Sequence, residues 1–192
     1  ITKDAILNAI KVNSAIGGST NAVLHLLAIA YEADVDLDIF EFGKVSHVCP
    51  HMVPMIPAGQ YTLLDFYEAG GIPVMMKELA TILDLNGITC TGCTSKENIE
   101  KFQTKSRCNK KFQNPVHSRG GIAVLKGNVA PDGAVTKPSA IPESTLLFRG
   151  PAKIYESEQD ALSGIRAKQV HGGEVVVIRN EGPKGGPGMR EM

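Results

Sequence analysis

Lys96-Glu-Asn-Ile-Glu-Lys-Phe-Gln-Thr-Lys-Ser-Arg-Cys-Asn-Lys-Lys-Phe-Gln-Asn114 divides the chain. No apolar period persists through it, and basic residues (Lys96, Lys101, Lys105, Arg107, Lys110, Lys111) dominate. It reads as a polar linker or long surface loop and as the domain boundary. Its aromatics are few and Glu97 and Glu100 interrupt the positive run, so a solvated surface explains it better than nucleic-acid binding. The residues on its N-terminal side are patterned as helices, and those on its C-terminal side are rich in short strands. The expected division is therefore 1–95, a helical part of an α/β domain; 96–114, the linker; and 115–192, a β-rich second part.

Upstream, Thr2 is a helix cap with Asp4 in the first turn, and Ile6, Leu7, Ile10 and Ser14 fall on helical spacing, which predicts a helix over 3–14. Gly17-Gly18 breaks it. Ser19-Thr20-Asn21 restarts a helix through Tyr31 that is apolar nearly all round, so it is expected to be buried, with His25 as a core histidine. Asp38 caps a short helix over 39–46. Cys49 to Pro57 holds three prolines and is irregular. Further helices are expected over 61–69 and from Pro73 to about Leu83, and Ile88 to Thr91 is a strand candidate.

Downstream, strands are expected at 121–126, 134–137, 144–149, 153–155 and 175–178, with a turn at Pro131-Asp132-Gly133. Ser157 with Asp160 three residues on announces a helix to about Lys168. Glu181-Gly-Pro-Lys-Gly-Gly-Pro-Gly-Met-Arg-Glu-Met192 then offers four glycines, Gly185 and Gly186 among them, and ends near the carboxylate of Glu191. Read alone it is a turn-rich connection, or a loop whose backbone N–H groups approach an anion or a metal-bound substrate.

Composition excludes several classes. The chain has 192 residues, 43% apolar and 21% charged, with Lys+Arg and Asp+Glu both at 20. A balanced charge gives no electrostatic attraction to nucleic acid or an anionic membrane. Tryptophan is absent and aromatics are 5%, too few for base-stacking surfaces. No apolar run is long enough for a bilayer. Four irregularly spaced cysteines are not a secreted disulfide framework at this length, which points to a reducing compartment. Ile1 in place of an initiator Met, and a stop at Met192 where a helix should begin, suggest an internal piece of a longer protein.

Two sites stand open between readings. Gly17-Gly-Ser-Thr-Asn21 is either a plain helix start or an anion site, where unpaired N–H groups, two hydroxyls and an amide meet a carboxylate or phosphate. Cys90-Thr-Gly-Cys93, with Cys108, has half of a zinc or iron–sulfur spacing but no second pair, so unligated thiols are the simpler reading. Pro50 between His47 and His51 argues against a helical metal pair.

Four stretches together resemble the dihydroxy-acid and phosphogluconate dehydratase family. They are Ala15-Ile-Gly-Gly-Ser-Thr-Asn-Ala-Val-Leu-His-Leu26, Asp65-Phe-Tyr-Glu-Ala-Gly-Gly-Ile-Pro73, Gly120-Gly-Ile-Ala-Val-Leu-Lys-Gly-Asn-Val-Ala-Pro-Asp-Gly-Ala-Val135 and the closing 181–192. The closing stretch resembles the dihydroxy-acid branch. The resemblance implies a lyase that turns a 2,3-dihydroxy acid into a 2-keto acid in branched-chain amino-acid synthesis, with Mg²⁺ and an iron–sulfur cluster. It implies Glu191 as a Mg²⁺ ligand and Ser19, Thr20, Asn21, Gly185 and Gly186 as substrate contacts. The family's cluster cysteines lie upstream of this chain and its base serine downstream, so the piece alone is expected to be inactive. It further implies the tail of an α/β domain followed by the start of a small, swivelling β-barrel-like domain, a homodimer when full-length, and a cytoplasmic or organelle-matrix location. Strands missing from both domains would leave apolar surface exposed. The alternatives are a sugar-acid dehydratase and a non-catalytic module binding metal through Cys90, Cys93 and Cys108.

Overall fold

The computed structural model describes residues 1–102 and 114–182. It is a mixed α/β chain in two compact units, Ile1–Pro142 and Glu143–Met192. The units divide downstream of the polar stretch 96–114.

The first unit is organised around α1 (Lys3–Ala15), started by the Thr2 hydroxyl, which accepts from the Ala5 N–H. Ile6 and Ile10 pack with Val23 and Ala30 of α2 (Asn21–Glu32), Phe42 of α3 (Ile39–Val48) and Ile122. Val12 and Ala15 pack instead with Cys49, Met52 and Val53, with Phe66 of α4 (Leu63–Glu68) and with Met75 of α5 (Gly71–Glu78). One helix thus joins two apolar clusters, because its buried positions take up more than one stripe. α3 begins where the sequence places it, with the Asp38 carboxylate accepting from the Glu41 N–H at 2.7 Å.

The expectation that α2 is buried fails. Only Val23 and Ala30 are buried, while Leu24 is 61% and Tyr31 80% exposed. Val23 and Ala30, seven apart, lie on one stripe, and only half-buried Leu26 and Leu27 beside them join it against the first cluster. His25 is consequently exposed and is no core histidine.

α4 is closed at its start by a reciprocal pair between Thr62 and Asp65. Gly70, at φ 110°, turns the chain from α4 into α5, a conformation natural to glycine. Pro73 lies in the first turn of α5, and the helix stops at Glu78 rather than Leu83. Ile88 to Thr91 is not a strand. Ile88 makes one isolated bridge to Thr94, and a tight turn lies between them. The polar stretch is not wholly a linker either: α6 (Ser95–Glu100) opens it, capped by Thr94 and Glu97.

β1 (Ala123–Leu125) and β2 (Ala134–Thr136) form an antiparallel pair with Val124 opposite Val135. Gly43 of α3 lets β1 come close, since a side chain there would meet Val124 Cβ at 2.8 Å. This contact seats residues 120–122 against the helices.

In the second unit β3 (Ala152–Tyr155) and β4 (Val175–Ile178) pair in parallel, with Ile154 opposite Val177. A parallel pair needs a crossover, and α7 (Glu158–Arg166) supplies it. The Ser157 hydroxyl accepts from the Asp160 N–H, as the sequence predicts. Arg179 and Glu156 form a two-pronged ion pair just past the strand ends. Residues 144–149 are not a strand. Glu143–Thr145 is a single 3₁₀ turn, and Leu146, Leu147 and Phe148 are exposed. Among the described residues each sheet has two strands and none closes into a barrel. No helix among them is long and apolar enough to cross a membrane.

Candidate functional site

The junction where α1 ends brings Gly17, Ser19, Thr20 and Asn21 together with His51 and the Gly120-Gly121 pair. Gly17 turns the chain at φ +62°, and Gly18 N–H returns to the Asn13 carbonyl at 2.9 Å. Ser19 and Asn21 are exposed and Thr20 is half-buried at the start of α2. The Ser19 hydroxyl accepts from the Asn21 N–H at 3.2 Å, while the Thr20 side chain makes no capping bond. The three residues therefore present polar groups beside a helix start that carries partial positive charge.

Residues 116–122 thread behind this turn. Gly121 N–H donates to the Ser14 carbonyl at 3.0 Å, and Gly120 N–H to the Ser46 carbonyl at 3.2 Å. The Ser46 hydroxyl donates to the Ile122 carbonyl at 2.5 Å, and the Ser139 hydroxyl to the Gly121 carbonyl at 3.4 Å. A Cβ on Gly121 would lie 2.6 Å from Gly17 Cα. The two glycine pairs, far apart in sequence, are thus in backbone contact, which only residues lacking a Cβ permit.

His51 forms the floor. It is 1% exposed, and its backbone N–H donates to the His117 carbonyl at 3.0 Å. The His117 ring covers it in a stack of 5.4 Å between centroids at 16°. Burial lowers the His51 pKa to about 4, with smaller downward pushes from His117 and Lys137 and an opposing hydrogen bond at Val53. Its imidazole is therefore neutral near pH 7, able to accept or donate without a charge. Lys137 is itself lowered by burial. Ser14 Oγ and Asn13 Nδ2 are buried with no hydrogen-bond partner among the described residues. Buried polar atoms are normally satisfied, so this junction has unused hydrogen-bonding capacity.

Sequence spacing sets His51 only against His47. The structure separates those two, leaving His47 exposed, and pairs His51 with His117 instead. That pairing joins residues far apart in sequence and has no local signal. The Ser46 clamp has none either.

Gly185, Gly186, Glu191 and Cys108 are outside the described residues. Cys90 is exposed and Cys93 half-buried, both as free thiols, and Cys49 is buried. The Cys49 thiol donates to the Lys11 carbonyl at 3.0 Å, and burial pushes its pKa up to about 12, far from that of a ready metal ligand. Among the described residues no group of three or more His, Cys, Asp or Glu could hold a metal ion.

Comparison with known proteins bears on the whole chain. A family model described as dihydroxy-acid/6-phosphogluconate dehydratase N-terminal matches residues 1–98, and its C-terminal counterpart matches 107–192. Relatives named dihydroxy-acid dehydratase include those of Methanococcoides burtonii, 47% identical over all of this chain and 36% of the relative, and Sulfolobus acidocaldarius, 48% identical over all of this chain and 35% of the relative. That of Ruminiclostridium cellulolyticum is 46% identical over the same whole span and 35% of its own length. The chain spans about a third of the length of these relatives.

Proposed function

The chain belongs to the dihydroxy-acid/6-phosphogluconate dehydratase family, and from that premise we propose that it is part of a hydro-lyase acting on 2,3-dihydroxy carboxylates. The observation that carries this is the identity of 46–48% across the entire chain to relatives named dihydroxy-acid dehydratase. In the proposed reaction a proton leaves C2 and hydroxide leaves C3. The resulting enol takes up a proton at C3 and becomes the 2-keto acid, so the net loss is one water.

This chain's part is to bind and orient the substrate. Ser19, Thr20 and Asn21 would hold the substrate carboxylate at the start of α2, and Gly185 and Gly186 would offer backbone N–H groups. Glu191 would give a carboxylate oxygen to Mg²⁺, a donor that suits a hard cation. An iron–sulfur cluster and Mg²⁺, when bound, would stabilise charge on the departing hydroxide and on the enolate. The described residues do not fit such a cluster: the Cys49 thiol is buried and engaged, and the Cys90 and Cys93 thiols are only a pair. Its ligands would lie in the other two-thirds of the protein. The division 1–95, 96–114 and 115–192, with the last segment entering a swivelling barrel, belongs to this proposal. So do a homodimeric full-length enzyme, a branched-chain amino-acid role and a cytoplasmic or organelle-matrix location.

The test is a substrate profile of the longer polypeptide that contains this chain. It is expected to form keto acid from 2,3-dihydroxyisovalerate faster than from 6-phosphogluconate. The reverse preference would assign it to the sugar-acid branch.

A further inference from the structure

The turn from Ile88 to Thr94 takes no part in the proposed reaction, yet it carries two of the chain's four cysteines. Gly92 N–H donates to the Thr89 carbonyl at 3.0 Å, and Thr89 N–H to the Cys93 carbonyl at 2.9 Å. With Gly92 at φ +76°, this is a three-residue hairpin loop of the type I turn plus left-handed glycine kind. Cys90 opens the loop and Cys93 begins the return, so the turn folds the two back toward each other.

The loop is held rather than free. Asn98 Nδ2 donates to Thr89 Oγ1 at 2.7 Å and to Thr91 Oγ1 at 2.9 Å, tying the loop to α6. Ser95 N–H donates to the Gly87 carbonyl and Lys96 N–H to the Leu85 carbonyl, both at 3.0 Å, which fixes its base. A pre-formed turn removes most of the ordering cost of joining its ends. Accessibility differs between the thiols: Cys90 is exposed and Cys93 half-buried. An attacking thiol must be reached from solvent, whereas a resolving thiol need only reach its neighbour.

We propose that Cys90 and Cys93 are a reversible dithiol–disulfide pair that exchanges with small disulfides of the glutathione type. The Cys90 thiolate, its proton lost to water, attacks one sulfur of glutathione disulfide. The S–S bond breaks, one glutathione thiolate leaves and a mixed disulfide remains on Cys90. The Cys93 thiolate then attacks the Cys90 sulfur and expels the second glutathione. The two cysteines are oxidised by two electrons, the glutathione disulfide is reduced to two thiols, and the two cysteine protons end on them. The product is a cross-link across the loop that anchors α6.

The test uses the longer polypeptide that contains this chain, incubated under native conditions with glutathione disulfide, quenched with acid, alkylated and mapped by mass spectrometry. Cys90 and Cys93 are expected to lose alkylation together, in a peptide lighter by two hydrogens, and dithiothreitol should restore both. Cys93→Ser should stop at a stable glutathione adduct on Cys90, and Cys90→Ser should slow adduct formation in this loop. Stable adducts on both cysteines, a link to Cys108 or to a second chain, or no reaction would each overturn the proposal. Zinc bound by the reduced chain in a way that shields both thiols would overturn it too, in favour of a metal site. None of these readouts depends on dehydratase activity, so failure here and failure of the proposed function are distinguishable.

Discussion

Gly17 stands against the imidazole of His51: a Cβ on Gly17 would come within 2.6 Å of His51 Nε2. The glycine is needed twice, for the close approach and for its φ of +62°. Gly17→Ala is therefore expected to destabilise the first unit by about 1–3 kcal/mol, the usual cost of a strained backbone position. Urea unfolding of the two chains measures it, and equal midpoints would show that the turn relaxes freely.

His51 also sets a pH dependence. Its folded-state pKa of about 4 lies below its ordinary 6.5, so the unfolded chain binds this proton more readily. Stability from this group is complete above about pH 6.5 and is lost as pH falls toward 4, by on the order of 2–3 kcal/mol. Denaturation midpoints measured across that window should fall with pH, and His51→Gln should flatten the slope. An unchanged slope in the variant would place the titration elsewhere.

Ser46 fastens the segment that carries Gly120 and Gly121 and leads into β1. Its hydroxyl donates to the Ile122 carbonyl and its own carbonyl accepts from Gly120 N–H. Ser46→Ala leaves a buried carbonyl short of one donor, at a cost of about 1–2 kcal/mol. Gly120→Ala should cost more, because its Cβ would lie 2.5 Å from the Ser46 carbonyl oxygen. Hydrogen exchange at Gly120 and Gly121 should quicken in both variants, and protection equal to the parent would contradict the clamp.

The features legible in the sequence are those governed by neighbours. Thr2, Asp38 and Ser157 are helix caps because a short polar side chain reaches an N–H two or three residues on, and all three do so. The features not legible there depend on what lies alongside. α2 has the composition of a buried helix, yet neighbours bury only Val23 and Ala30 and half-cover Leu26 and Leu27. Leu146-Leu-Phe148 has strand composition, but a strand needs a partner, and none pairs with it among the described residues. At the site, the glycine pairs are visible as motifs. Their contact through Gly17 and Gly121, and the His51–His117 stack, are tertiary facts.

The proposed substrate contact by Ser19, Thr20 and Asn21 makes a kinetic prediction for the longer polypeptide. Ser19→Ala or Asn21→Ala removes a neutral donor to a carboxylate, worth about 1.5–3 kcal/mol, so kcat/KM should fall roughly ten- to a hundredfold. Most of the fall should be in KM, because the carboxylate is bound before and during the reaction. Steady-state kinetics that leave KM unchanged would remove these residues from the binding site.

The most direct measurement of the central claim is a transplant. This chain replaces the matching third of the Methanococcoides burtonii dihydroxy-acid dehydratase, and keto-acid release from 2,3-dihydroxyisovalerate is followed. Turnover by the chimera is the predicted result, with its loss on Glu191→Gln. A folded chimera that binds the substrate but releases no keto acid would contradict it.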